Sequence, residues 1–249
     1  MRIAFCAVVG LGLAACARME TAQFQPIAGQ ESIIRDGQPV ISSRQKNSLV
    51  LVRPASRQFQ AGSRLTYVVA MYNMTNQPLQ FLVSNVSVAQ LEGSQARALK
   101  VHSYEELAAE EHNRQVARAV LTGLAAGANA ASAANAGYYN NTATVYGPNG
   151  VRTVNVSGYD PTAAAIAQNR AAAQNQAMIA NTIETGQRNM AILEKTIIKD
   201  DTLLPGEWYG GQLVFDPPQG DGPKNYTLSI QIGGDVHQIY VVQSALART

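Results

Sequence analysis

Two alanine-rich segments decide the fold: SYEELAAEEHNRQVARAVLTGLAAGANAASAAN at 103–135 and DPTAAAIAQNRAAAQNQAMIANTIETGQRNMAILEKTI at 160–197. The first begins with a capping box, in which the Ser103 hydroxyl can accept from a backbone amide while a glutamate three residues later reaches back. In the second, Asp160 is a suitable N-cap and Pro161 suits the first helical position. The two segments therefore predict two helices, each about 50 Å long at 1.5 Å per residue.

Each predicted helix has an apolar stripe at helical spacing, and alanine occupies most of the remaining positions. Alanine packed on alanine permits close approach but buries little area, so at about 25 cal/mol per Å² the pair gains little from its own contact. We therefore expect the pair to need another surface, either a β domain or a neighbouring subunit. The stripes are Leu107, Val116, Val120, Leu121 and Leu124 in the first helix and Ile166, Ala173, Ala177, Ala180, Ile183, Met190 and Ile197 in the second.

The chain on both sides of 103–197 has the alternating, β-branched and aromatic segments that are typical of strands. The two β blocks, 31–102 and 198–249, are each small for an independent domain. We therefore predict an α+β chain: an Ig-like antiparallel β-sandwich of about seven or eight strands, with 103–197 as an inserted long helical hairpin. The strand-like segments are 33–35, 40–42, 48–53, 63–72, 79–88, 97–102, 202–204, 208–215, 226–232 and 236–242.

A short hairpin is predicted between the two helices, where 142–146 and 151–156 flank Gly147-Pro148-Asn149-Gly150. Tyrosine and asparagine at a loop tip provide rigid, amphipathic contact area, as recognition surfaces require. Two interpretations remain open with equal weight, a partner-contact surface and a flexible Gly/Asn/Tyr linker. The tyrosines expected to cluster around this hairpin are Tyr138, Tyr139, Tyr146 and Tyr159.

The N-terminus has the features of an export signal, with Arg2 followed by an apolar run, Ile3–Leu13, that is too short to span a bilayer. Leu13-Ala14-Ala15-Cys16 resembles the lipobox of bacterial lipoproteins. The resemblance implies cleavage before Cys16 and acylation of its thiol and new amino group. In lipoproteins of enteric bacteria, an aspartate just after the acylated cysteine favours retention in the inner membrane. This position is Ala17 here, which looks more like a lipoprotein sorted to the outer membrane. The alternatives are an ordinary signal peptide cleaved at an A-x-A site and a buried N-terminal segment.

This resemblance implies a signal peptide at 1–15, a lipidated tether at 16–30 and a protein held on the outer membrane of a Gram-negative bacterium, facing the periplasm. The polar composition of the tether is typical of a linker. The chain contains two cysteines, Cys6 and Cys16. The first leaves with the signal and the second receives lipid, so we expect a mature chain without disulfides or thiolate metal ligands.

Composition and motifs argue against catalysis and nucleic-acid binding. The formal net charge of +2 gives no basic field that would attract nucleic acid. The chain lacks the nucleophile-elbow, P-loop, dinucleotide and HExxH patterns. We expect no enzyme activity, no catalytic residue, no cofactor, no metal site and no small-molecule substrate.

Titratable residues near the first helix have ordinary interpretations. The acidic residues there fit a solvated first turn, where negative charge suits the helix dipole, better than a metal site. His102 and His237 lie in strand-like segments and are interpreted as surface or internally satisfied residues rather than a catalytic pair. The acidic and histidine residues at the helix start are Glu105, Glu106, Glu110, Glu111 and His112.

The expected function is that of a lipid-anchored scaffold for protein–protein contact in the cell envelope. Its partners would be the membrane, through the lipid, and either an unidentified envelope protein or a second copy bound through the helical insertion. The alternative is a homo-oligomeric pore or secretion-assembly subunit, whose helical hairpin contacts or enters the membrane. Gly123-x-x-x-Gly127 resembles a transmembrane helix-dimer motif, but Arg118 lies in the same helix and is costly to bury in lipid.

Overall fold

The computed structural model describes residues 18–35, 37–93, 95–148 and 150–246, which form a mixed α+β structure of two helices and several antiparallel sheets. The described chain before Tyr104 and after Thr196 forms one compact unit, and Tyr104–Thr196 forms a second. Cys16 and the predicted signal peptide lie outside the described residues.

The strands of the first unit place alternate side chains in its core, as the two-residue period of a strand requires. In Leu65–Asn73, for example, buried and half-buried residues alternate without a break. The strands of this unit are β1 Met19–Gln25, β2 Gln30–Arg35, β3 Gln38–Arg44, β4 Ser48–Pro54, β5 Phe59–Gln60, β6 Leu65–Asn73, β7 Leu79–Phe81, β8 Val86–Glu92, β9 Gln95–Leu99, β10 Val101–His102, β13 Asp201–Leu203, β14 Trp208–Phe215, β15 Lys224–Ile232 and β16 Asp235–Ala245.

These strands form two six-stranded antiparallel sheets, in the orders β5-β1-β16-β15-β8-β9 and β10-β14-β6-β4-β3-β2, and a separate pair of β7 with β13. Side chains from both large sheets share one hydrophobic core. Tyr67 of β6 and Tyr226 of β15 are buried there, and their hydroxyls are 2.6 Å apart. The Tyr67 ring also stacks on Phe215 at a centroid distance of 5.6 Å.

Most predicted strands are confirmed, and β14 has the predicted bounds. The hairpin of β2 and β3 is confirmed too, although its turn residue Asp36 lies outside the described residues. Segments 79–88 and 97–102 are not continuous strands. A 3₁₀ turn at Val83–Asn85 separates β7 from β8, while β9 and β10 belong to different sheets. The first unit consequently has more strands than we predicted.

The expected tether is wrong over Met19–Gln25, because these residues form β1 and pair with both β16 and β5. The segment looks like a linker because its inward positions include Glu20, which is only 2% exposed. Lys224 neutralises that carboxylate inside the sheet. A polar composition therefore concealed a buried strand.

The second unit contains α1 Tyr104–Asn135, β11 Tyr138–Gly147, β12 Gly150–Tyr159 and α2 Pro161–Thr196. The predicted helix bounds are confirmed to within one residue. Asp160 is the N-cap of α2, since its Oδ1 accepts from the backbone amides of the second and third helical residues at 2.8 and 3.1 Å. None of the helices in the described chain combines the length and apolarity needed to cross a membrane.

Strand β14 receives the chain on both sides of the second unit. His102 pairs with Val214, and Ile197 forms an isolated bridge to Gln212, two residues away on the same strand. The Ile198 amide donates to the Gln212 carbonyl at 3.0 Å. His102, just before the second unit, and Ile197, just after it, therefore lie close together on β14.

Candidate interaction surface

Helices α1 and α2 run antiparallel and are joined by a series of polar contacts along their length. Gly186 permits close approach, because a Cβ there would lie 2.9 Å from Cδ of Gln115. The contacts require one particular alignment of donors and acceptors, so they fix the register of the pair. They are Asn189 Nδ2 to Glu111 Oε1 (2.8 Å), Gln115 Nε2 to the Gly186 carbonyl (2.9 Å), Thr122 Oγ1 with Thr182 Oγ1 (3.0 Å), Asn175 Nδ2 to the Ala126 carbonyl (3.0 Å) and Asn129 Nδ2 to Asn175 Oδ1 (3.1 Å).

Four of the five residues in the predicted apolar stripe of α1 are exposed, whereas Leu107, near the start of the helix, is buried. Leu124 is 67% exposed, and Val116, Val120 and Leu121 are also exposed. Helical spacing correctly identified the stripe, but the face that contacts α2 carries glutamine, threonine and asparagine. Small residues let the two backbones approach closely enough for these side chains to reach across, and Val120, Leu121 and Leu124 are left exposed.

The Gly-x-x-x-Gly sequence of α1 takes no part in the contact with α2. A Cβ added at Gly123 or Gly127 would meet nothing within 4 Å. Both glycines therefore belong to the same unpartnered side of the helix as Leu124.

A groove of about 560 Å³ lies between the two helices. Val116, Ala119, Ile183 and Met190 supply apolar surface in this groove. The polar residues that line it are His112, Gln115, Thr182, Gln187 and Glu194. The combination of apolar and polar side chains in this groove resembles a surface that receives an amphipathic segment.

Strands β11 and β12 form a two-stranded ribbon whose ten residue pairs run without interruption from Tyr138↔Tyr159 to Gly147↔Gly150. Every residue of the ribbon is exposed except Gly158, which is half-buried. The ribbon is longer than the predicted hairpin. One of its faces is mostly apolar, and the other is rich in threonine and asparagine. The apolar side chains of the first face are Tyr139, Ala143, Val145, Val154 and Val156.

The four tyrosines predicted as partner contacts do not form one cluster. Tyr138 and Tyr159 meet at the base of the ribbon, with ring centroids 4.9 Å apart. Tyr139 also lies at the base, where its ring leaves no room for a side chain at Gly158. Tyr146 is near the tip, eight residues along β11, which corresponds to about 27 Å of strand. The placement of all four around the turn was wrong, because the strands extend farther than the turn signal indicated.

The surface of this unit carries little charge around the ribbon and the adjoining parts of the helices. Arg152, Asp160 and Arg170 are the charged residues between positions 119 and 183. Depletion of charge, together with exposed aromatic and aliphatic side chains, is the compositional sign of a protein interface. This part of the molecule therefore has the composition of a contact surface.

The strongest catalytic resemblance lies in the first unit, where His237 contacts two serines. Its Nε2 is 2.9 Å from Ser48 Oγ, and its Nδ1 is 3.0 Å from Ser43 Oγ. Ser48 also donates to Asp235 Oδ2 at 2.7 Å. The serine proton is thus directed to the aspartate and not to the imidazole, and His237 is fully buried. The group joins β16 to β3 and β4 and gives no access to a substrate.

Sequence reasoning left open a surface histidine or an internally satisfied one, and it did not identify the partners of His237. Ser43 and Ser48 are both far from His237 in the chain, although both occupy inward positions of strands. A polar residue at an inward position was the available signal. His102 is also buried, and its Nε2 is 2.8 Å from Asp216 Oδ1.

The interpretation of the α1 acids as a solvated turn is wrong for Glu111, which is 2% exposed. Besides its bond from Asn189, Glu111 forms an ion pair with Arg114 at 3.2 Å. In the described part of the chain, His, Cys, Asp and Glu side chains nowhere form a group of three or more able to hold a metal.

We expect the protein to lose stability as pH falls below about 6.5, because of His237. Burial lowers the pKa of His237 from its ordinary value of 6.5, while Asp235 and a hydrogen bond with Ser43 oppose the shift. A lowered pKa means that the unfolded chain binds the proton more tightly. The stability that comes from keeping His237 neutral is therefore complete above the pKa of this residue in the unfolded chain. It is lost as pH falls toward the pKa in the folded protein.

Thermal melts of the wild type and His237→Gln between about pH 8 and pH 5 measure this effect. The variant should show a smaller decrease in Tm over that range. His112→Gln is the control, since His112 is exposed and should leave the wild-type pH dependence unchanged. Equal slopes for His237→Gln and the wild type would contradict the assignment.

The apolar side chains described in Tyr104–Thr196 are therefore largely exposed, whereas the polar groups around His237 in the first unit are buried and hydrogen-bonded. No family model matches the chain, and neither a curated protein nor a solved structure shows significant similarity to it.

Proposed function

We propose that this protein is a lipoprotein of the outer membrane that faces the periplasm and serves as a scaffold for protein–protein contact. In this proposal an Ig-like β-sandwich supports an inserted helical hairpin, and the hairpin with its ribbon is the contact module. One observation carries the proposal. The polar sides of α1 and α2 face each other, so that Leu124 and its apolar neighbours are left exposed.

The energetic argument starts from this exposed surface. Burial of apolar area contributes about 25 cal/mol per Å² removed from water, and α1 and α2 forgo much of that contribution in their own contact. Exposed apolar patches on soluble proteins commonly mark interaction sites. The first unit, by contrast, buries most of its large apolar side chains in a core of its own, although Ile34, Leu204 and Trp208 are exposed there. A contact function in the helical unit accounts for this difference, and none of the buried polar groups described above favours catalysis.

The contact module is tested by placing a photo-crosslinking amino acid at Leu124 in the host cell envelope. A discrete adduct is expected at Leu124 and should disappear when Val120→Glu is added on the same face. Gln231, which is exposed on β15, is the control position and should give no such adduct. Identical adducts from both positions, or none from Leu124, would refute the contact function of the exposed α1 face.

The lipid anchor rests on the resemblance of Leu13-Ala14-Ala15-Cys16 to a lipobox. Multiple acyl chains bind membranes almost permanently, at about 0.8 kcal/mol per buried CH₂. We expect Cys16→Ser to move the protein out of the outer-membrane fraction, as measured by fractionation and immunoblotting. Cys6→Ser is the matched control, because the proposed cleavage removes that residue. Unchanged membrane association of Cys16→Ser would disprove the anchor.

A further inference from the structure

The β11–β12 ribbon is an unusual structure for a chain in water. A two-stranded hairpin is only marginally stable by itself and normally packs on a third strand or a helix. In this ribbon nearly all side chains are exposed. Apart from the backbone ladder, the side-chain contacts between its strands include the Tyr138–Tyr159 ring pair and a bond of 3.2 Å from Thr142 Oγ1 to Asn155 Oδ1. Such a ribbon would gain stability from a further strand.

The edges of the ribbon lack the features that prevent strand addition. Natural edge strands are commonly short, bulged, interrupted by proline or protected by charged side chains, lysine especially. Here each strand has ten residues, and the register continues through all ten pairs without a bulge. Neither strand contains proline, lysine, aspartate or glutamate, and Arg152 of β12 is the single charged residue. The edge of β11 has no charge at all.

We propose that β11 pairs antiparallel with β11 of a second copy of this chain, joining two ribbons into one four-stranded sheet. The inference deepens the contact role proposed for Tyr104–Thr196 and rests on it. It identifies the partner of the free β11 edge as the same strand in a second copy of the chain.

A two-fold axis at Ala143 gives one antiparallel register for this pairing. With Ala143 opposite Ala143 of the partner copy, Thr142 lies opposite Thr144 and Asn141 opposite Val145. Odd-numbered residues lie opposite odd-numbered residues and even-numbered opposite even-numbered ones. Each face of the ribbon therefore continues across the junction between the two copies. The mostly apolar faces of two ribbons then form one larger surface. A partner chosen by charge fits this edge poorly, because β11 offers no charge to attract it, whereas two uncharged copies meet without repulsion.

The test uses the purified full-length protein in mild detergent, with its mass followed over a concentration series. The wild type should form dimers, and Ala143→Lys should weaken association by about tenfold or more, since two lysines would then face each other. Mixing Ala143→Lys with Ala143→Glu should restore association. Val154→Lys is the matched control: it places the same charge on the same face but on β12, and it should remain dimeric.

A cysteine pair gives a second measurement that does not depend on charge. Ala143→Cys, combined with Cys6→Ser and Cys16→Ser, should form a disulfide-linked dimer under oxidising conditions, because directly opposed residues in antiparallel strands lie within disulfide range. Val154→Cys in the same background should not. A monomeric wild type, equal effects of Ala143→Lys and Val154→Lys, or no rescue on mixing would each overturn the proposal.

The two proposals can fail separately. If Leu124 yields its specific adduct while the wild type stays monomeric, the ribbon pairing is wrong and the scaffold function stands. If Ala143→Cys links copies but Leu124 captures nothing, the ribbon pairing stands and the contact function of the α1 face is wrong.

Discussion

Lys224→Met is expected to destabilise the protein by about 3–5 kcal/mol, because it breaks a buried ion pair from one side. Lys224 Nζ contacts both carboxylate oxygens of Glu20, at 2.7 and 2.8 Å. Gln243 Nε2 donates to the same carboxylate at 2.7 Å. All three residues are buried. Without the ammonium group, the negative charge of Glu20 remains in the core with one neutral donor identified beside it.

Chemical denaturation followed by circular dichroism measures this loss. The double variant Glu20→Met with Lys224→Met removes both charges, and it should be more stable than Lys224→Met alone. A surface pair provides the control. Glu184 and Arg188 are both exposed on α2, and Arg188→Met should change the free energy of unfolding by less than about 1 kcal/mol. If Lys224→Met has an equally small effect, the buried pair does not stabilise β1 in the sheet.

Asn73→Asp is expected to destabilise the protein by about 3 kcal/mol, although the two side chains have nearly the same shape. The fully buried Asn73 uses Nδ2 to donate to the carbonyls of Gln77 (2.7 Å) and Leu203 (3.0 Å). Its Oδ1 accepts from the backbone amide and hydroxyl of Thr75, both at 2.8 Å. In the variant, a carboxylate oxygen would face two carbonyl oxygens.

The pH dependence of Asn73→Asp separates this cause from a general packing defect. The carbonyls and burial should raise the pKa of the new carboxyl above its ordinary value of about 3.9. The variant should therefore recover part of its stability as pH falls, because a protonated carboxyl can donate to one carbonyl. Asn76→Asp, at an exposed position of the same turn, is the control and should leave stability nearly unchanged. A pH-independent loss in Asn73→Asp would contradict the proposed cause.

Much of the local structure follows from residues near one another in the chain. Asp160 and Pro161 define the start of α2, and alternation predicts β14 at its observed bounds. Strand β1 could not be predicted in this way. Its inward Glu20 looks like a surface residue until Lys224, far away in the sequence, is known to lie beside it. When two charged residues from distant parts of the chain pair across a sheet, the residues next to each of them in the sequence do not indicate that pairing.

The structure of Tyr104–Thr196 was predictable in part. The sequence predicted two alanine-rich helices and a tyrosine-bearing hairpin between them. It did not show that Gln115, Thr122 and Asn129 form the helix contact, because apolar spacing ordinarily identifies the packed face. The separation of Tyr146 from Tyr138 depends on strand length. The turn residues determine where a hairpin reverses, but they do not determine how far its strands extend.

The meeting of both chain ends on β14 has a consequence for the order of folding. Strand β14 pairs with β6 along its whole length, although more than a hundred residues separate them in the chain. Closing a loop costs about (3/2)RT ln n, so such pairing is entropically unfavourable and slow. Contacts between α1 and α2 are confined to the intervening segment and can form first, which brings Tyr104 near Thr196. The loop that the β6–β14 pairing must close then shortens from about 135 residues to about 45, which lowers the closure free energy by about 1 kcal/mol. The helical pair would then act as an internal folding aid that accelerates assembly of the distant strands.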